Sequence, residues 1–569
     1  MNEISELQVL LLKNRGIDES EFHVFLNPSY ETGIHDPYLM KDMEKSVVRI
    51  LQAIEKEEKI GIFSDYDADG VPGAVMMKDF FDRIGYTNVF YYIPDRHLEG
   101  FGLKNDSVTK CAEEGVKLLI TLDCGITDVE EVEHAKGLEM DVIITDHHLP
   151  SRVFANAKIQ EGEPVQKLPN AFAILDPKQE GDTYPEKMLC GTGVAFKLIQ
   201  AILIKNRFGL PEGQEKWFLD MVGIATLSDM VPLLGENRVL GAYGLRVLRK
   251  SKRPGLLALL KKAGVEQKTI SEEDVGFMIS PRINAASRMG HALDAFKMLS
   301  STDEKEAEKY AEQIHDLNNE RKGIVARMVK EMKATLVNRI EREKEKGVIV
   351  LGHPDWRPSL LGLAANSLVE EHGLPVFLWG REGGEVIKGS CRSNGVVNIV
   401  EVMRAVKNEV FIDFGGHSMS GGFSVSLEKI HLLEDALANA HKEVLVVSTG
   451  VAKEPYLIDI TLSLREINER TFKDMDKLSP FGVANPKPVF QFKDVLVKSV
   501  AQFGKEKNHL KIILQKENGG IIEAISFFAD EKSFQKEIVE GVKINLIASL
   551  EKSFFRGRAE LRLRIVDVI

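Results

Sequence analysis

Short apolar runs alternate with amphipathic segments over the first half of the chain, from about residue 41 to residue 300. The apolar runs are typical of buried strands, and the segments between them have the spacing of helices. Strands are predicted at Lys59–Phe63, Val89–Ile93, Lys117–Leu122 and Asp141–Thr145, and helices at Ala74–Ile84 and Asp106–Glu114. Strands that alternate with helices in this way favour α/β architecture with a parallel, doubly wound sheet.

Acidic residues and histidines follow these predicted strands. They are Asp65, Asp67 and Asp69 after the first strand, Asp123 after the third, and Asp146-His147-His148 after the fourth. We interpret a further apolar run, Met221–Leu227, as a strand that ends before Asp229. Ligands of open parallel sheets bind at the carboxyl ends of the strands, so we expect these side chains to lie close together.

The three alternate aspartates of residues 65–69 have two interpretations. Carboxylates that point into one volume repel each other unless a cation lies between them, and hard divalent cations prefer oxygen ligands. The alternative is an acidic turn that caps the next helix, which is predicted to begin near Val71. The recurrence of Asp and His after several strands favours the metal site over the capping turn.

The second half of the chain divides into three further regions. Residues 302–346 are predicted to form one long helix that connects two lobes, because no proline interrupts them. Residues 347–450 resume the α/β pattern with a strand at Val348–Leu351. Glycine-rich stretches in this region, interleaved with Ser, Arg and His, favour a surface that contacts phosphate, although Gly-Gly pairs also serve as hairpin turns.

Residues 451–569 are predicted to be all-β. The strand-like runs are Tyr456–Leu462, Val489–Val500, Leu510–Leu514, Ile521–Phe527, Val542–Leu550 and Leu561–Val568. Five or six short strands of this kind suit a small closed barrel that binds single strands of nucleic acid, with a purely structural β-domain as the alternative. At the other end, residues 1–40 are interpreted as an N-terminal arm that packs on the first domain, which covers residues 41–301.

Composition excludes several classes of protein. The chain of 569 residues is 44% hydrophobic and 28% charged, as is usual for globular domains, and no apolar run is long enough to span a membrane. Its four cysteines are scattered, which argues against a zinc ribbon or a disulfide framework. The N-terminus lacks the pattern of a signal peptide, so we expect a cytoplasmic protein. A net charge of −12 still permits a local basic groove for nucleic acid.

Several motifs occur in a fixed order along the chain. They are Asp65-Tyr66-Asp67-Ala68-Asp69-Gly70, Leu122-Asp123-Cys124-Gly125, Asp146-His147-His148, Ser228-Asp229-Met230-Val231-Pro232, Pro281-Arg282-Ile283-Asn284-Ala285-Ala286-Ser287-Arg288 and Gly415-Gly416-His417. Together they resemble the DHH phosphoesterase superfamily, above all its RecJ-type single-strand DNA exonucleases. The resemblance implies a DHH domain, a smaller DHHA1-like α/β domain joined to it by the long helix, and an OB-fold-like barrel.

The resemblance also implies roles for individual residues. Asp67, Asp69, Asp123, His147 and Asp229 are similar to the family's metal ligands, Asp123 would bridge two ions, and Asp65 would either ligate or lie behind the ligands. His148 would face the scissile phosphate or join the metal cluster. The implied phosphate contacts are Asn284, Arg288 and His417. The implied pocket for the 5′ end consists of Arg96, Ser390 and Arg392, with Phe101 placed to stack on a base.

The resemblance thus implies a 5′→3′ exonuclease that degrades single-stranded DNA to mononucleotides with two Mn²⁺ or Mg²⁺ ions, in DNA repair and recombination. Its expected partners are single-stranded DNA, a single-strand-binding protein and a helicase, and no membrane. Two alternatives stay open. One is a DHH-family phosphodiesterase for cyclic dinucleotides or short oligoribonucleotides, and the other is a catalytically inactive nucleic-acid-binding scaffold.

Overall fold

The computed structural model describes residues 4–153, 165–381, 386–407, 410–447, 457–504, 507–555 and 558–569. Contacts divide the chain into two compact units, one made of residues 1–94, 101–280 and 454–569, the other of residues 95–100 and 281–453. The predicted start of the arm, the predicted boundary at residue 450 and the predicted first barrel residue, Tyr456, lie outside the described residues. None of the described helices is both long enough and apolar enough to cross a membrane.

A five-stranded sheet forms the centre of the first unit. Its strands are β1 Ile60–Ser64, β2 Val89–Tyr92, β3 Leu118–Leu122, β4 Asp141–Thr145 and β7 Ala173–Leu175. They are ordered β2-β1-β3-β4-β7, and every pairing between them is parallel. A separate pair, β5 Ser151–Val153 and β6 Val165–Lys167, is antiparallel. All residues of β1 and β3 are buried, because helices cover both faces of a parallel sheet. The predicted doubly wound sheet is therefore confirmed.

The helices of this α/β region are α4 Met43–Glu55, α5 Gly70–Arg83, α6 Asn105–Glu113, α7 Val129–Gly137, α8 Gly191–Lys205, α9 Leu219–Ser228, α10 Gly235–Leu248, α11 Pro254–Ala263 and α12 Glu272–Asp274. Helices α5 and α6 correspond to the two predicted helices, Ala74–Ile84 and Asp106–Glu114. Short 3₁₀ turns lie at Pro37–Leu39, Gln214–Phe218 and Gln267–Thr269, and a π-helical turn at Val275–Ile279.

One predicted strand of this region is wrong. The apolar run Met221–Leu227 lies within helix α9, whose residues are buried on nearly every side. A buried helix of this kind shows no apolar periodicity, so its sequence resembles that of a buried strand. The helix packs closely on α10, where a Cβ added to Gly223 would lie 2.5 Å from the Cα of Gly244. Asp229 consequently follows a helix and not a strand.

The barrel belongs to the same unit. Its elements are β13 Ile460–Thr461, α20 Glu469–Asp476, β14 Phe490–Phe503, β15 His509–Gln515, β16 Ile521–Phe527, β17 Lys543–Phe555 and β18 Arg558–Val568, with a 3₁₀ turn at Leu464–Glu466. The sheet order is β13-β14-β15-β16-β18-β17, and a second pairing of β14 with β17 closes it. The predicted closed barrel is confirmed.

The N-terminal arm contacts the barrel as well as the first domain. Its helices are α1 Glu6–Asn14, α2 Phe22–Leu26 and α3 Tyr30–Gly33, with a 3₁₀ turn at Glu19–Glu21. Leu11, Leu12 and Phe22 are buried in one hydrophobic cluster with the barrel strands. Residues of the following segment reach the α/β region, where Tyr38 Oη donates to the carbonyl of Ala201 over 2.9 Å. The arm thus contacts the first domain, as the sequence suggested, and also the barrel, which the sequence did not indicate.

The second unit is a smaller α/β structure. Its helices are α13 Ser280–Met289, α14 Ala292–Ser300, α15 Glu304–Leu336, α16 Ile340–Lys346, α17 Pro358–His372, α18 Ile399–Ala405 and α19 Leu433–Val447, with a 3₁₀ turn at Ile430–Leu432. Its strands are β8 Ile349–His353, β9 Val376–Gly380, β10 Ile387–Arg392, β11 Phe411–His417 and β12 Ser420–Val425. They are ordered β11-β12-β10-β9-β8, and only β8 and β9 are parallel.

The predicted single helix over residues 302–346 is two helices. The break lies between Leu336, where α15 ends, and Ile340, where α16 begins. Val337 and Asn338 fall in it, and both residue types have low helix propensity. Met328, Met332 and Leu336 are buried in the same hydrophobic cluster as β8, β9 and α17, so the C-terminal half of α15 is part of the second unit's core.

Candidate metal centre and substrate contacts

In the loop after β1, backbone amides hold the carboxylate of Asp67 in place. Asp67 Oδ1 accepts from the amides of Asp69 and Gly70, over 2.7 Å and 3.2 Å. Asp67 therefore caps the start of α5, which is the alternative that the sequence left open, and the loop can still offer its other oxygens to a cation. Gly70 is required here, because a Cβ at this position would lie 2.4 Å from the carbonyl oxygen of Asp65.

Asp69 is held by the N-terminus of helix α8. Its two carboxylate oxygens accept from the amides of Gly191 and Thr192, over 2.7 Å and 2.8 Å. These amides have no partner within their own helix, and the helix dipole favours a negative charge there. A Cβ at Gly191 would lie 2.5 Å from the Cβ of Asp123, so only glycine allows this approach. No pattern in the sequence pointed to Gly191.

One imidazole nitrogen lies among three carboxylates. His147 Nε2 is 3.1 Å from Asp123 Oδ1, 3.7 Å from Asp229 Oδ2 and 3.9 Å from Asp69 Oδ2. Three overlapping groups of residues have ligand atoms within 4.8 Å of one another. They are Asp65 with Asp67 and Asp123, Asp69 with His147 and Asp229, and Asp123 with His147 and His148. The arrangement brings all six predicted ligands together and places Asp123 in two of the three groups.

Burial and mutual repulsion change the acidity of this cluster. Burial, followed by the charge of Asp67, raises the pKa of Asp69 to about 6. Burial and the neighbouring aspartates raise the pKa values of Asp123 and Asp229 well above their usual range. Carboxylates that repel one another in a buried site are neutralised either by protons or by bound cations. The donor set therefore fits divalent metal ions.

His148 is oriented by the aspartate of its own motif. Its Nδ1 lies 2.8 Å from Asp146 Oδ1, and the same oxygen accepts from the amide of His147 over 2.7 Å. Burial alone would lower the pKa of His148, but the charge and hydrogen bond of Asp146 raise it to about 9. Conversely, burial would raise the pKa of Asp146, and His148 lowers it to about 2. Asp146 belongs to the Asp146-His147-His148 motif, but no functional role was predicted for it from the sequence.

Asp176 is a further carboxylate that follows a strand of the same sheet, and it was not predicted from the sequence. Asp176 follows the short strand β7 and is fully buried, and burial, with the charge of Asp146, raises its pKa to about 8. Its Oδ1 accepts from the amide of Lys178 over 2.7 Å. The strand before it has only three residues, which is too short for the apolar pattern to reveal.

The predicted stacking residue, Phe101, lies beside His148. The centre of its ring is 5.2 Å from that of the imidazole, and the residue is 41% exposed.

The predicted phosphate contacts belong to the second unit. Asn284 and Arg288 lie on α13, and Arg288 Nη1 donates to the carbonyl of Ser359 over 2.6 Å. His417 is exposed at the end of β11, where it is the register partner of Ser420 at the start of β12. Asn284, Arg288 and His417 therefore belong to the second unit, whereas the metal cluster belongs to the first.

The three residues of the predicted 5′ pocket also belong to the second unit. Arg392 Nη1 donates to Ser390 Oγ over 3.1 Å, and burial lowers the pKa of this guanidinium. A Cβ on Gly362 would lie 2.4 Å from Arg392 Nη2, so this glycine makes room for the charged group. Arg96 lies in a tight turn in which Asp95 Oδ1 accepts from two following amides.

Family profiles cover most of the chain. The DHH family N-terminal domain matches residues 59–226, the DHHA1 domain residues 344–444 and the RecJ OB domain residues 458–567. These ranges correspond to the sheet of the first unit, the α/β structure of the second unit and the barrel.

Curated relatives match over almost the whole chain. The single-stranded-DNA-specific exonuclease RecJ of Bacillus subtilis is 34% identical over 99% of this chain and 68% of its own length. The protein of the same name from Escherichia coli is 29% identical over 93% of this chain and 90% of its own length.

Solved structures have the same fold. RecJ of Thermus thermophilus, crystallised with Mn²⁺, matches with a TM-score of 0.79 and 24% identity over 99% of this chain and 76% of its own. A crystal structure of exonuclease RecJ bound to manganese matches with a TM-score of 0.59 and 29% identity, over 73% of this chain and 97% of its own. On the profiles, the relatives and the fold, the chain belongs to the RecJ family of DHH phosphoesterases.

Proposed function

We propose that this chain is a metal-dependent exonuclease that degrades single-stranded DNA from the 5′ end to mononucleotides. The observation that carries the proposal is the imidazole nitrogen of His147 within 4 Å of three carboxylates, in a member of a family whose curated relatives are named for this activity. A module that only bound nucleic acid would gain nothing from clustered carboxylates, because they repel phosphate.

The proposed ligands of two Mn²⁺ or Mg²⁺ ions are the six residues of the cluster. Asp65, Asp67 and Asp123 would hold one ion, Asp69, His147 and Asp229 the other, and Asp123 would be shared. Carboxylates together with imidazole suit Mn²⁺, while Mg²⁺ is accepted by sites rich in oxygen. Two such ions, when bound, activate a water molecule and stabilise the leaving oxygen of a phosphodiester.

The residues around the cluster have proposed roles of their own. His148, kept protonated by Asp146, would donate a hydrogen bond or a proton to the phosphate oxygens. Asn284, Arg288 and His417 would contact the scissile phosphate and stabilise the negative charge that develops on it.

The proposed pocket for the 5′ end combines Arg96, Ser390 and Arg392. Arginine can grip a terminal phosphate through two charge-assisted hydrogen bonds. The side chain of Arg392 is partly buried, and no carboxylate among the residues described influences its pKa. Phe101, part exposed beside His148, would stack on a base.

The barrel would hold the longer part of the strand. Its match to the RecJ OB domain supports this role, because OB folds bind single strands by stacking and by phosphate contacts. We propose the domains as an arm at 1–40, a catalytic domain at 41–301, a connecting region at 302–346, a DHHA1 domain at 347–450 and the barrel at 451–569. We further propose a role in DNA repair and recombination in the cytoplasm, with a single-strand-binding protein and a helicase as partners.

The test is a digestion of single-stranded DNA, duplex DNA and a cyclic dinucleotide with Mn²⁺ and with chelator. We expect mononucleotides from the single strand only, and none in chelator. Hydrolysis of the cyclic dinucleotide in preference to the long strand would instead favour the phosphodiesterase.

The 5′ pocket has a separate test. Wild type should prefer a 5′-phosphate to a 5′-hydroxyl, and Arg392→Ala should remove this preference at a cost of about 1.5–3 kcal/mol, the range for a hydrogen bond to a charged group. The rates on matched strands decide, and an unchanged preference in the variant would show that the pocket lies elsewhere.

A further inference from the structure

A cluster of hydrogen-bond donors lies on the second unit, between α13 and α15. Asn318, Arg321 and Lys322 follow His315 by three, six and seven residues on α15, so the four side chains share one face of the helix. Arg282 of α13 joins them, because its Nε donates to His315 Nδ1 over 3.4 Å. Arg282 is 3% exposed, so its charge is buried in this cluster.

The side chain of Asn318 has one donor without an acceptor among the residues described. Two guanidinium nitrogens of Arg321 donate to its side-chain oxygen, over 3.2 Å and 2.9 Å, so the oxygen is occupied and the orientation of the amide is fixed. The amide nitrogen is fully buried and has no hydrogen-bond partner among the residues described. Buried polar groups without a partner are rare, and they often mark the place of a bound ion or water.

Two cations of the cluster are not neutralised by carboxylates. Among the residues described, no carboxylate is close enough to Arg321 or Lys322 to form an ion pair or to raise the pKa of either group. Burial lowers the pKa of Arg321, and the charge of Arg282 lowers it further. Burial, followed by the charges of Arg282 and Arg321, also lowers the pKa of Lys322. Cations held close together in this way favour the binding of an anion.

We propose that this donor cluster binds one backbone phosphate of the single strand, at a linkage other than the scissile one. The inference rests on the proposed function. Arg282 lies six residues before Arg288, the proposed contact to the scissile phosphate, on the same helix. That spacing corresponds to about 9 Å along the helix axis, so one phosphate cannot occupy both places. Guanidinium, ammonium and amide donors together match the anionic oxygens of a phosphodiester.

The test measures the binding of a 5′-phosphorylated oligothymidylate in metal-free buffer, with one linkage at a time replaced by a neutral methylphosphonate. Wild type should lose affinity, about tenfold, when one particular internal linkage is neutral. Arg321→Gln and Lys322→Gln should bind the natural strand more weakly and lose their sensitivity to that same linkage. The slope of log affinity against log salt should fall by about 0.7 for the lost contact.

The control is Lys309→Gln, which removes an exposed charge from the same helix outside the cluster. It should retain both the wild-type salt slope and the sensitivity to the linkage. The inference is wrong if Arg321→Gln stays as sensitive as wild type at every linkage. It is also wrong if Lys309→Gln loses affinity and linkage sensitivity to the same extent as Arg321→Gln. Failure of the proposed function has another signature, since wild type itself would then neither bind nor degrade the unmodified strand.

Asn318→Asp separates binding from a merely structural role. The new carboxylate would accept from Arg321 and neutralise its charge, so the melting temperature should rise while the strand binds more weakly. If the cluster has only a structural role, the affinity for the strand should stay the same or rise together with the melting temperature. Either result would overturn the proposal.

Discussion

At the scale of single residues, the acidity of the metal cluster determines how stability depends on pH. Asp69 has its pKa raised to about 6, and Asp123 and Asp229 are raised well above their usual range. An acid whose pKa is higher in the folded state than in the unfolded state stabilises the protein below its unfolded pKa. That stability is lost as the pH rises through the folded pKa.

The metal-free protein should therefore melt at lower temperature as the pH rises from about 4 through 6. Mn²⁺ should raise the melting temperature more above this window than below it, because the ligands must be deprotonated. Asp123→Asn removes the charge shared by two of the three groups, so in chelator its melting temperature should depend less on pH. Thermal melts across the window check this, and a wild-type melting temperature that rises with pH in chelator would contradict it.

Asp146 is expected to act through His148. Asp146→Asn keeps the size of the side chain but removes the charge that holds the imidazole. We expect the nuclease rate to fall, because His148 would lose the charged partner that orients its ring. The pH–rate profile should also shift, because the pKa of His148 would fall from about 9. An unchanged profile would show that Asp146 serves the fold alone.

The ligand cluster could be predicted from sequence because most of its members follow strands whose carboxyl ends meet at one edge. Gly191 could not, since its role depends on how closely α8 approaches Asp123 in space. Asp176 follows a strand of three residues, which leaves no usable pattern. The donor cluster around Asn318 joins two helices through side-chain contacts that no local pattern reveals.

At the scale of elements, Arg238 joins three parts of the first unit. From α10 it donates to the carbonyl of Phe25 in the arm and to that of Ser479 before the barrel, both over 2.9 Å. Its guanidinium also lies 3.9 Å from the centre of the Phe25 ring, and burial lowers its pKa to about 9.

Arg238→Met should leave these buried carbonyls without donors and lower the free energy of unfolding by about 3 kcal/mol. Urea unfolding measures the loss, and Arg470→Met, which alters a side chain that is 87% exposed, provides the control. Nuclease activity of the folded variant in the cold should be unchanged. Equal unfolding midpoints for the two variants would show that Arg238 does not join these elements.

Two elements of the chain differ from the sequence prediction, each for a physical reason. Helix α9 was assigned as a strand because it is apolar nearly all round, and only its packing on α10 distinguishes the two. The break between α15 and α16 contains Val337 and Asn338, whose low helix propensity is a weak signal within a long charged stretch.

At the scale of the whole molecule, the two ends of the chain share a hydrophobic core. Leu11 and Leu12 are completely buried with the barrel strands, although more than 440 residues separate them in sequence, as Leu12 and Leu464 illustrate. Such long-range contacts leave no trace in local periodicity, which is why the sequence predicted the contacts of the arm with the first domain but not those with the barrel.

Removal of the barrel alone should therefore expose the apolar faces of α1 and α2. A chain that ends at residue 450 is expected to aggregate, whereas one that also lacks residues 1–28 should stay monomeric and cleave short strands. Light scattering and cleavage of a short and a long strand compare the two. Equal solubility would show that the arm does not depend on the barrel.

The central claim is that the aspartates and His147 form a metal centre that cleaves single strands from the 5′ end. It is tested most directly by the release of nucleotide from strands labelled at the 5′ or the 3′ end, in Mn²⁺ and in chelator. We expect wild type and Lys309→Gln to release the 5′ label first, as mononucleotide and only with metal, and Asp123→Asn to release none. Release of the 3′ label first, or release by Asp123→Asn at the wild-type rate, would contradict the account.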